Sequence, residues 1–248
     1  MAEFSVEEYL QLAQDRKRKK EYKAAIECYY KALEIDNNNP DILNSIAETY
    51  MCLNNVERAI SYYQRVLGTY PQNRQALINL SKIFEIKKDY TSAIKYLLDI
   101  LNMYPEDTDS ARHLAILLTE NNQFSESIDI INERLLSNNY ISDETYYLLA
   151  VNYDKLGNLS LAREYYEKSY HLNNRNVKVL IALGGIYYDL KNYDDALKLF
   201  TSAIDIDFNN IIPHFYAGLI YNQQENYEKA AAEFKFVTTF DPKNVDAY

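Results

Sequence analysis

Apolar residues along the chain recur with helical spacing and return in pairs of segments that are separated by polar breaks. In one such segment, apolar or small side chains follow one another at steps of three, one and three residues: Leu43, Ile46, Ala47 and Tyr50. The same steps return at Leu180, Leu183, Gly184 and Tyr187. At about 100° per residue these positions fall on one side of a helix. The pattern therefore predicts short amphipathic helices joined in pairs.

The pairs repeat every 34 residues, in a register that begins at Val6. With one residue inserted between Asn138 and Ser142, position 20 carries a small residue in all seven copies: Ala25, Ala59, Ala93, Ser127, Ala162, Ala196 and Ala230. Position 24 carries a large one: Tyr29, Tyr63, Leu97, Ile131, Tyr166, Phe200 and Phe234. Small residues allow helices to approach closely, and we expect large residues at positions 4, 11, 17 and 24 to fill the core.

This register divides the chain into a lead-in, seven repeats and the start of a truncated eighth repeat. The predicted boundaries are 1–5 for the lead-in, 6–39, 40–73, 74–107, 108–142, 143–176, 177–210 and 211–244 for the repeats, and 245–248 for the eighth. The fourth repeat departs from the pattern at Ala111, Leu118, Ser127 and Arg134. We expect a softer joint or a change of pitch there.

The recurring aromatic, leucine, glycine or alanine, tyrosine, alanine, phenylalanine and proline positions closely resemble the tetratricopeptide repeat family. Proline at position 32, in Pro71, Pro105 and Pro242, is part of that resemblance, which covers nearly the whole chain. It implies an all-α fold, a right-handed α-solenoid of about seven tandem helix-turn-helix repeats with a concave inner surface. It also implies that the chain binds other proteins.

Two ligand sites known in this family do not carry over. Co-chaperones of the family hold a C-terminal carboxylate with a clamp of lysine, asparagine and arginine residues. The matching positions here are Leu10, Gln14, Ser45, Gln75 and Asn79. The asparagine ladder of the sugar-transferase relatives corresponds here to Gln11, Ser45, Asn79, His113, Leu148, Ala182 and Tyr216.

Composition and charge narrow the possible functions. The 248 residues carry a net charge of −10, which does not favour a nucleic-acid partner. Five glycines leave little room for a catalytic loop, and the three histidines lie in different repeats, so we predict no catalytic residues, no metal, no cofactor and no enzyme. Cys28 and Cys52 are far apart, and neither a signal peptide nor a membrane-length apolar run is visible. These features predict a cytoplasmic protein without membrane insertion.

The helix face opposite the predicted core changes character along the chain. Its positions are apolar at six of 24 residues in the first four repeats and at ten of 18 in the last three. From the last three repeats the candidate partner contacts are Tyr147, Leu148, Val151, Ile181, Tyr188, Ile212, Phe215, Tyr216 and Leu219, with Gly185 leaving room for a ligand. The polar candidates, which would orient the ligand, are Asn79, Lys82, Arg112 and His113.

Three hypotheses follow for the function. The first is a scaffold that binds a partner peptide or helix in the groove, mainly of repeats five to seven, and whose acidic surface favours a basic partner. The second is a self-associating solenoid that forms homo-oligomers. The third is a targeting arm of an enzyme whose catalytic domain lies downstream. Against the first stand two alternatives: the residues at positions 5 and 9 of each repeat also pack sideways on the next repeat, or a missing eighth repeat covers Phe215 and Leu219.

Overall fold

The computed structural model describes residues 4–241, which form fourteen α-helices and one π-helix without a β-strand. The helices, in chain order, are α1 (Val6–Arg18), α2 (Tyr22–Ile35), α3 (Pro40–Cys52), α4 (Val56–Thr69), α5 (Arg74–Ile86), α6 (Tyr90–Met103), α7 (Thr108–Glu120), α8 (Phe124–Ile130), α9 (Asp143–Lys155), α10 (Leu159–Leu172), α11 (Val177–Asp189), α12 (Tyr193–Ile206), α13 (Ile211–Gln223) and α14 (Tyr227–Phe240). The π-helix Ile131–Leu136 directly follows α8. Pro242 and the predicted eighth repeat lie outside the described residues.

The all-α class predicted from the sequence is confirmed. After Asn122 the chain divides into two compact units, unit 1 with α1 to α7 and unit 2 with α8 to α14. In unit 1 the helices pack as hairpins, α1 on α2, α3 on α4 and α5 on α6, and each hairpin contacts the next helix along the chain. In unit 2 the hairpins are α9 with α10, α11 with α12, and α13 with α14.

Asparagine and aspartate side chains mark the starts of most helices. Asn73 accepts the backbone N–H of Ala76 at 2.9 Å before α5, and Asp107 accepts that of Ser110 at 3.2 Å before α7. These bonds satisfy donors that have no partner within the helix. Pro40 is the first residue of α3, where the missing N–H costs nothing. The polar breaks seen in the sequence are therefore the caps of the following helices.

The turns inside the hairpins share one backbone conformation. Residue 15 of each predicted repeat has a positive φ, between 57° and 77°: Lys20, Asn54, Lys88, Asn122, Gly157, Lys191 and Glu225. This left-handed residue ends the first helix of each pair and reverses the chain. Gly157, Asn54 and Asn122 are residue types common in this conformation, whereas the three lysines and Glu225 adopt it against the usual preference of L-residues.

The helix faces predicted to be apolar form the cores. In unit 1, Leu43, Ile46 and Ala47 of α3 are fully buried against Ala59 and Tyr63 of α4. The small Ala47 and Ala59 leave the space that the Tyr63 ring needs. In unit 2 the corresponding residues are Leu180, Leu183 and Gly184 of α11, with Ala196 and Phe200 of α12, all buried.

The large residues at position 17 do not all fill the core, contrary to the prediction. Leu159 is 56% exposed and Tyr227 is 64% exposed. Each is the first residue of its helix, α10 or α14. The other five residues at this position are partly buried.

Candidate functional site

The ten predicted contact residues of unit 2 all lie on the first helix of a hairpin. They are Tyr147, Leu148 and Val151 on α9, Ile181, Gly185 and Tyr188 on α11, and Ile212, Phe215, Tyr216 and Leu219 on α13. We call this set the inner face of unit 2. Nine of the ten are partly buried, and Ile212 is 47% exposed. An apolar face that stays partly exposed, while residues such as Leu149 and Leu183 on the other side of the same helices are buried, can accept further apolar contacts.

Several aromatic residues of the inner face also pack on the core. The Tyr216 ring stacks on the buried Phe200 ring with centroids 4.9 Å apart, and Tyr188 meets Tyr216 edge to face at 5.3 Å. Phe215 lies 6.1 Å from Phe234 of α14. Tyr216 therefore already packs on the preceding hairpin and supports the fold.

Tyr147 stands at the other end of the set and packs with Val151 and Ile181 against the core around Ala150. Its ring centroid lies 6.0 Å from that of the buried Tyr166. Burial raises the pKa of Tyr147, and burial likewise raises the pKa of Tyr188. Both phenols therefore remain neutral at physiological pH and act as apolar rings with a polar tip.

Gly184 and Gly185, neighbours in α11, have opposite surroundings. A Cβ on Gly184 would lie 2.9 Å from the Phe200 ring. Among the described residues nothing outside its own helix turn comes within 4 Å of the point where a Cβ on Gly185 would stand. Gly184 serves the core, whereas Gly185 leaves open space on the inner face.

The four polar candidates lie in unit 1, and three of them already have partners there. Asn79 donates to the Tyr63 hydroxyl at 2.9 Å, and His113 Nε2 lies 2.7 Å from a Glu85 carboxylate oxygen. The guanidinium of Arg112 stands 4.0 Å from Asp109 in the preceding turn of α7. Lys82 is exposed.

Two cavities open on the first helices of the unit 1 hairpins. One, of about 320 Å³, is lined by Glu48, Met51, Tyr63, Asn79, Lys82, Ile83 and Ile86. The other, of about 560 Å³, is lined by Lys82, Glu85, Ile86, Lys88, Tyr90, His113 and Glu120. Lys82 and Ile86 line both, and Ile86 is 76% exposed. We call this surface the unit 1 groove.

The sequence reasoning passed over Ile86, because it ranked repeats by their number of apolar inner positions. An exposed isoleucine between two lysines and three glutamates is too sparse a signal for such a count. His214 was also missed as a buried residue: it is 3% exposed, with Nδ1 2.6 Å from Glu233 and Nε2 2.9 Å from the Phe208 carbonyl. Both ring nitrogens are used within unit 2, so His214 has a structural role.

Nothing in residues 4–241 gathers three or more histidine, cysteine, aspartate or glutamate side chains into a possible metal site. Nor is any helix in that part of the chain long and apolar enough to span a membrane.

Tandem helical hairpins, with small residues at the helix crossings and a partly exposed inner face, define the α-solenoid class of repeat proteins. Family models described as TPR repeat or tetratricopeptide repeat match residues 15–54, 45–108 and 155–214, which together span more than half of the chain. The chain belongs to the tetratricopeptide repeat family. Proteins with this fold generally mediate protein–protein interaction by binding protein or peptide partners, and they are typically non-catalytic.

Solved structures share the fold at low sequence identity. The C-terminal part of a TPR repeat-containing protein from Cytophaga hutchinsonii superposes with a TM-score of 0.73 at 17% identity, covering 96% of this chain and 97% of that one. A tetratricopeptide repeat protein from Parabacteroides merdae superposes with a TM-score of 0.65 at 15% identity, covering 98% of this chain and 95% of that one. PilW, a type IV pilus biogenesis factor, superposes with a TM-score of 0.64 at 16% identity, covering 84% of this chain and 96% of that one. No curated protein sequence matches the chain significantly.

Proposed function

We propose that the chain is a non-catalytic scaffold and that the inner face of unit 2 binds an extended or helical segment of a partner protein. This face lies in the proposed repeats five to seven, residues 143–176, 177–210 and 211–244. The observation that supports this proposal is the row of partly exposed apolar side chains on α9, α11 and α13 beside the open space at Gly185.

The chemistry of the inner face suits an apolar segment with a polar backbone. Ile212, Phe215 and Leu219 would bury apolar area of the ligand, which is the main source of affinity in such contacts. The hydroxyls of Tyr147 and Tyr188 would remain available to the ligand backbone, because large aromatic rings with a polar tip suit partly wet interfaces. Gly185 would let that backbone approach α11 closely.

The unit 1 groove is a second contact surface in this proposal. Ile86 offers an exposed apolar contact, and Lys82 and His113 lie around it as orienting groups. Glu48, Glu85 and Glu120 on the walls, with the net charge of −10, favour a basic segment by steering it during association. Cys28 and Cys52 are free thiols, which suits the reducing cytoplasm that we propose as the compartment.

The test replaces inner-face residues that do not hold the core. Ile212→Glu adds a charge to an exposed position, and Gly185→Leu fills the open space with a good helix former. The matched control is Leu159→Glu, because Leu159 is also an exposed apolar residue of unit 2 but begins the second helix of its hairpin. Tyr216 is avoided because of its stacking on Phe200.

Wild type and the three variants are first compared by circular dichroism and light scattering and then used for affinity capture from a lysate with quantitative mass spectrometry. We expect partners that are lost with Ile212→Glu and Gly185→Leu and retained with Leu159→Glu. Equal partners for all four proteins would exclude the inner face. A wild-type mass that rises with concentration, and falls in both inner-face variants, would instead favour self-association.

A further inference from the structure

A tyrosine and arginine cluster in unit 1 lies apart from both surfaces of the proposed function. It combines Tyr30 of α2, Tyr50 of α3 and Tyr62 of α4 with Arg58 of α4. The Tyr30 and Tyr50 hydroxyls are 2.6 Å apart, Tyr62 donates to Tyr30 at 3.0 Å, and Arg58 donates to Tyr50 at 2.8 Å. The Tyr50 and Tyr62 rings stack at 5.7 Å, and the Arg58 guanidinium lies over the Tyr50 ring at 5.3 Å.

The three hydroxyl protons of this cluster outnumber the hydrogen bonds between its hydroxyls. Three hydroxyls carry three protons, but they form only two bonds with one another, and the bond from Arg58 uses a lone pair and not a proton. Tyr50 is 4% exposed, so its proton needs a partner inside the protein, and Tyr30 is the hydroxyl within reach. Tyr30 then accepts from Tyr50 and from Tyr62, and its own proton must point elsewhere.

Tyr30 lines a cavity of about 300 Å³ together with Tyr62, Arg58, Ser61 and Arg65, so this cavity is where a ligand acceptor can meet that proton. Burial raises the pKa of Tyr30 above its ordinary value. Tyr30 therefore stays protonated and remains a donor at physiological pH. The cavity is small but of a size that can hold a small ligand.

The other polar groups that line the cavity are the positively charged guanidinium groups of Arg58 and Arg65 and the neutral hydroxyls of Ser61 and Tyr62. Arg58, Ser61 and Arg65 lie three and four residues apart on α4, so they share one side of the helix. Arg65 is held by its bond to the Asn37 carbonyl at 2.7 Å. No carboxylate lines the cavity, and within residues 4–241 neither Arg58 nor Arg65 forms an ion pair.

We propose that this cavity is a binding site for a phosphate monoester carried on an aromatic group. Two guanidinium groups match a dianion better than a single carboxylate, and a phosphoryl group offers the several acceptor oxygens that Tyr30, Ser61 and the arginines need. The rings of Tyr30 and Tyr62 on the cavity wall provide an apolar surface for the attached aromatic group. The chain carries a net charge of −10, yet this cavity is lined by two arginines that form no ion pair within residues 4–241.

The experiment titrates the full chain with phenyl phosphate by calorimetry and by NMR, with phenol as the uncharged control. Arg65→Gln removes one guanidinium, and Ser61→Ala removes the hydroxyl between the two arginines. The matched control is Arg18→Gln, which makes the same change of charge on α1, where the side chain is 73% exposed and only pairs with Asp15. Thermal unfolding confirms that each variant is folded.

We expect saturable binding of phenyl phosphate, at least tenfold weaker binding in Arg65→Gln, weaker binding in Ser61→Ala, an unchanged affinity in Arg18→Gln and no binding of phenol. A phosphotyrosine peptide that binds more tightly than phenyl phosphate would assign the site to a phosphorylated side chain, and an equal affinity would assign it to a small phosphate ester. Absence of saturable binding to the wild type, or equal weakening by Arg65→Gln and Arg18→Gln, would overturn the proposal.

Discussion

Gly184 and Gly185 separate two roles of glycine within one turn of α11. Alanine at position 184 places a methyl group against the Phe200 ring, which is fully buried and stacked on Tyr216. We expect Gly184→Ala to lower the free energy of unfolding by about 1–3 kcal/mol through overpacking. The matched change Gly185→Ala meets open space, so we expect it to raise the free energy of unfolding by about 0.5–1 kcal/mol, because alanine loses less backbone entropy in a helix.

Chemical denaturation of the two variants and the wild type, followed by circular dichroism, measures this pair of effects. The reverse order of stability would show that Phe200 can shift and that the small residue at this crossing is not required by packing. The two glycines differ by a single position, so effects on the unfolded chain are the same and cancel in the comparison.

Individual residues also show what periodicity does and does not predict. The spacing of Leu180, Leu183 and Gly184 correctly places these residues in the core. The left-handed turn residues are less visible: Gly157 is typical of the conformation, but Lys191 and Glu225 at the same position are not. The packing of the two helices in each hairpin fixes the backbone conformation of these turns. The conformation therefore does not require one particular residue type, and the sequence does not reveal it.

At the scale of elements, the start of α7 is tied to the start of α5. Asp107 caps α7 by accepting the Ser110 N–H and also accepts from Arg74 Nε at 2.9 Å, one repeat earlier. Burial raises the pKa of Asp107, but the hydrogen bonds from Arg74 and Ser110 outweigh it, so the pKa is lowered overall. The bonded carboxylate thus connects two neighbouring hairpins as well as capping one helix.

We expect Asp107→Ala to lower the free energy of unfolding by about 2 kcal/mol at neutral pH, since it removes a cap and a charge-assisted bond. Asp89→Ala is the control and should cost less, because Asp89 caps α6 through Ser92 without an arginine partner. The pKa of Asp107 is lowered on folding, so its contribution is complete above the unfolded pKa of about 3.9 and is lost as the pH falls through the folded pKa. Urea unfolding from pH 7 to pH 2.5 should show the Asp107→Ala deficit shrinking below pH 4. A deficit that is independent of pH would contradict this role.

The fourth repeat shows how an insertion is absorbed by an element. The register locates one extra residue between Asn138 and Ser142, whereas the structure has a π-helix at Ile131–Leu136, in which Ser137 N–H reaches back to the Asn132 carbonyl. A π-helical turn takes one residue more than an α-helical turn, so the extra residue is accommodated before the loop. The spacing of the recurring positions shows that one residue has been inserted. It does not show which helical turn accommodates that residue.

At the scale of the molecule, the fold class was predictable and the binding surface only in part. The chain carries the core pattern in seven copies, so a chance match at a single position has little effect on the predicted fold. The candidate site has no such redundancy: Ile86 and Tyr216 sit on equivalent helices, yet one is 76% exposed and the other stacks on Phe200. Whether an inner-face residue is available depends on its neighbours in the adjacent hairpin, and the periodicity within one helix carries no information about them.

Each of the two compact units contains buried core residues of its own, which allows a prediction about cooperativity. Ile46 is fully buried in unit 1 and Leu180 is fully buried in unit 2, and a charge at either position cannot be solvated in place. Because repeat proteins are stabilised mainly by contacts between neighbours, we expect Leu180→Asp to unfold unit 2 and leave unit 1 folded, and Ile46→Asp to do the reverse. Limited proteolysis with mass spectrometry should then yield a resistant fragment that ends near Asn122 in the first variant and one that begins near Gln123 in the second. If either substitution made the whole chain sensitive to protease, the two units would fold as one, and the partner and phosphate sites that we assign to them would be coupled through the stability of the entire molecule.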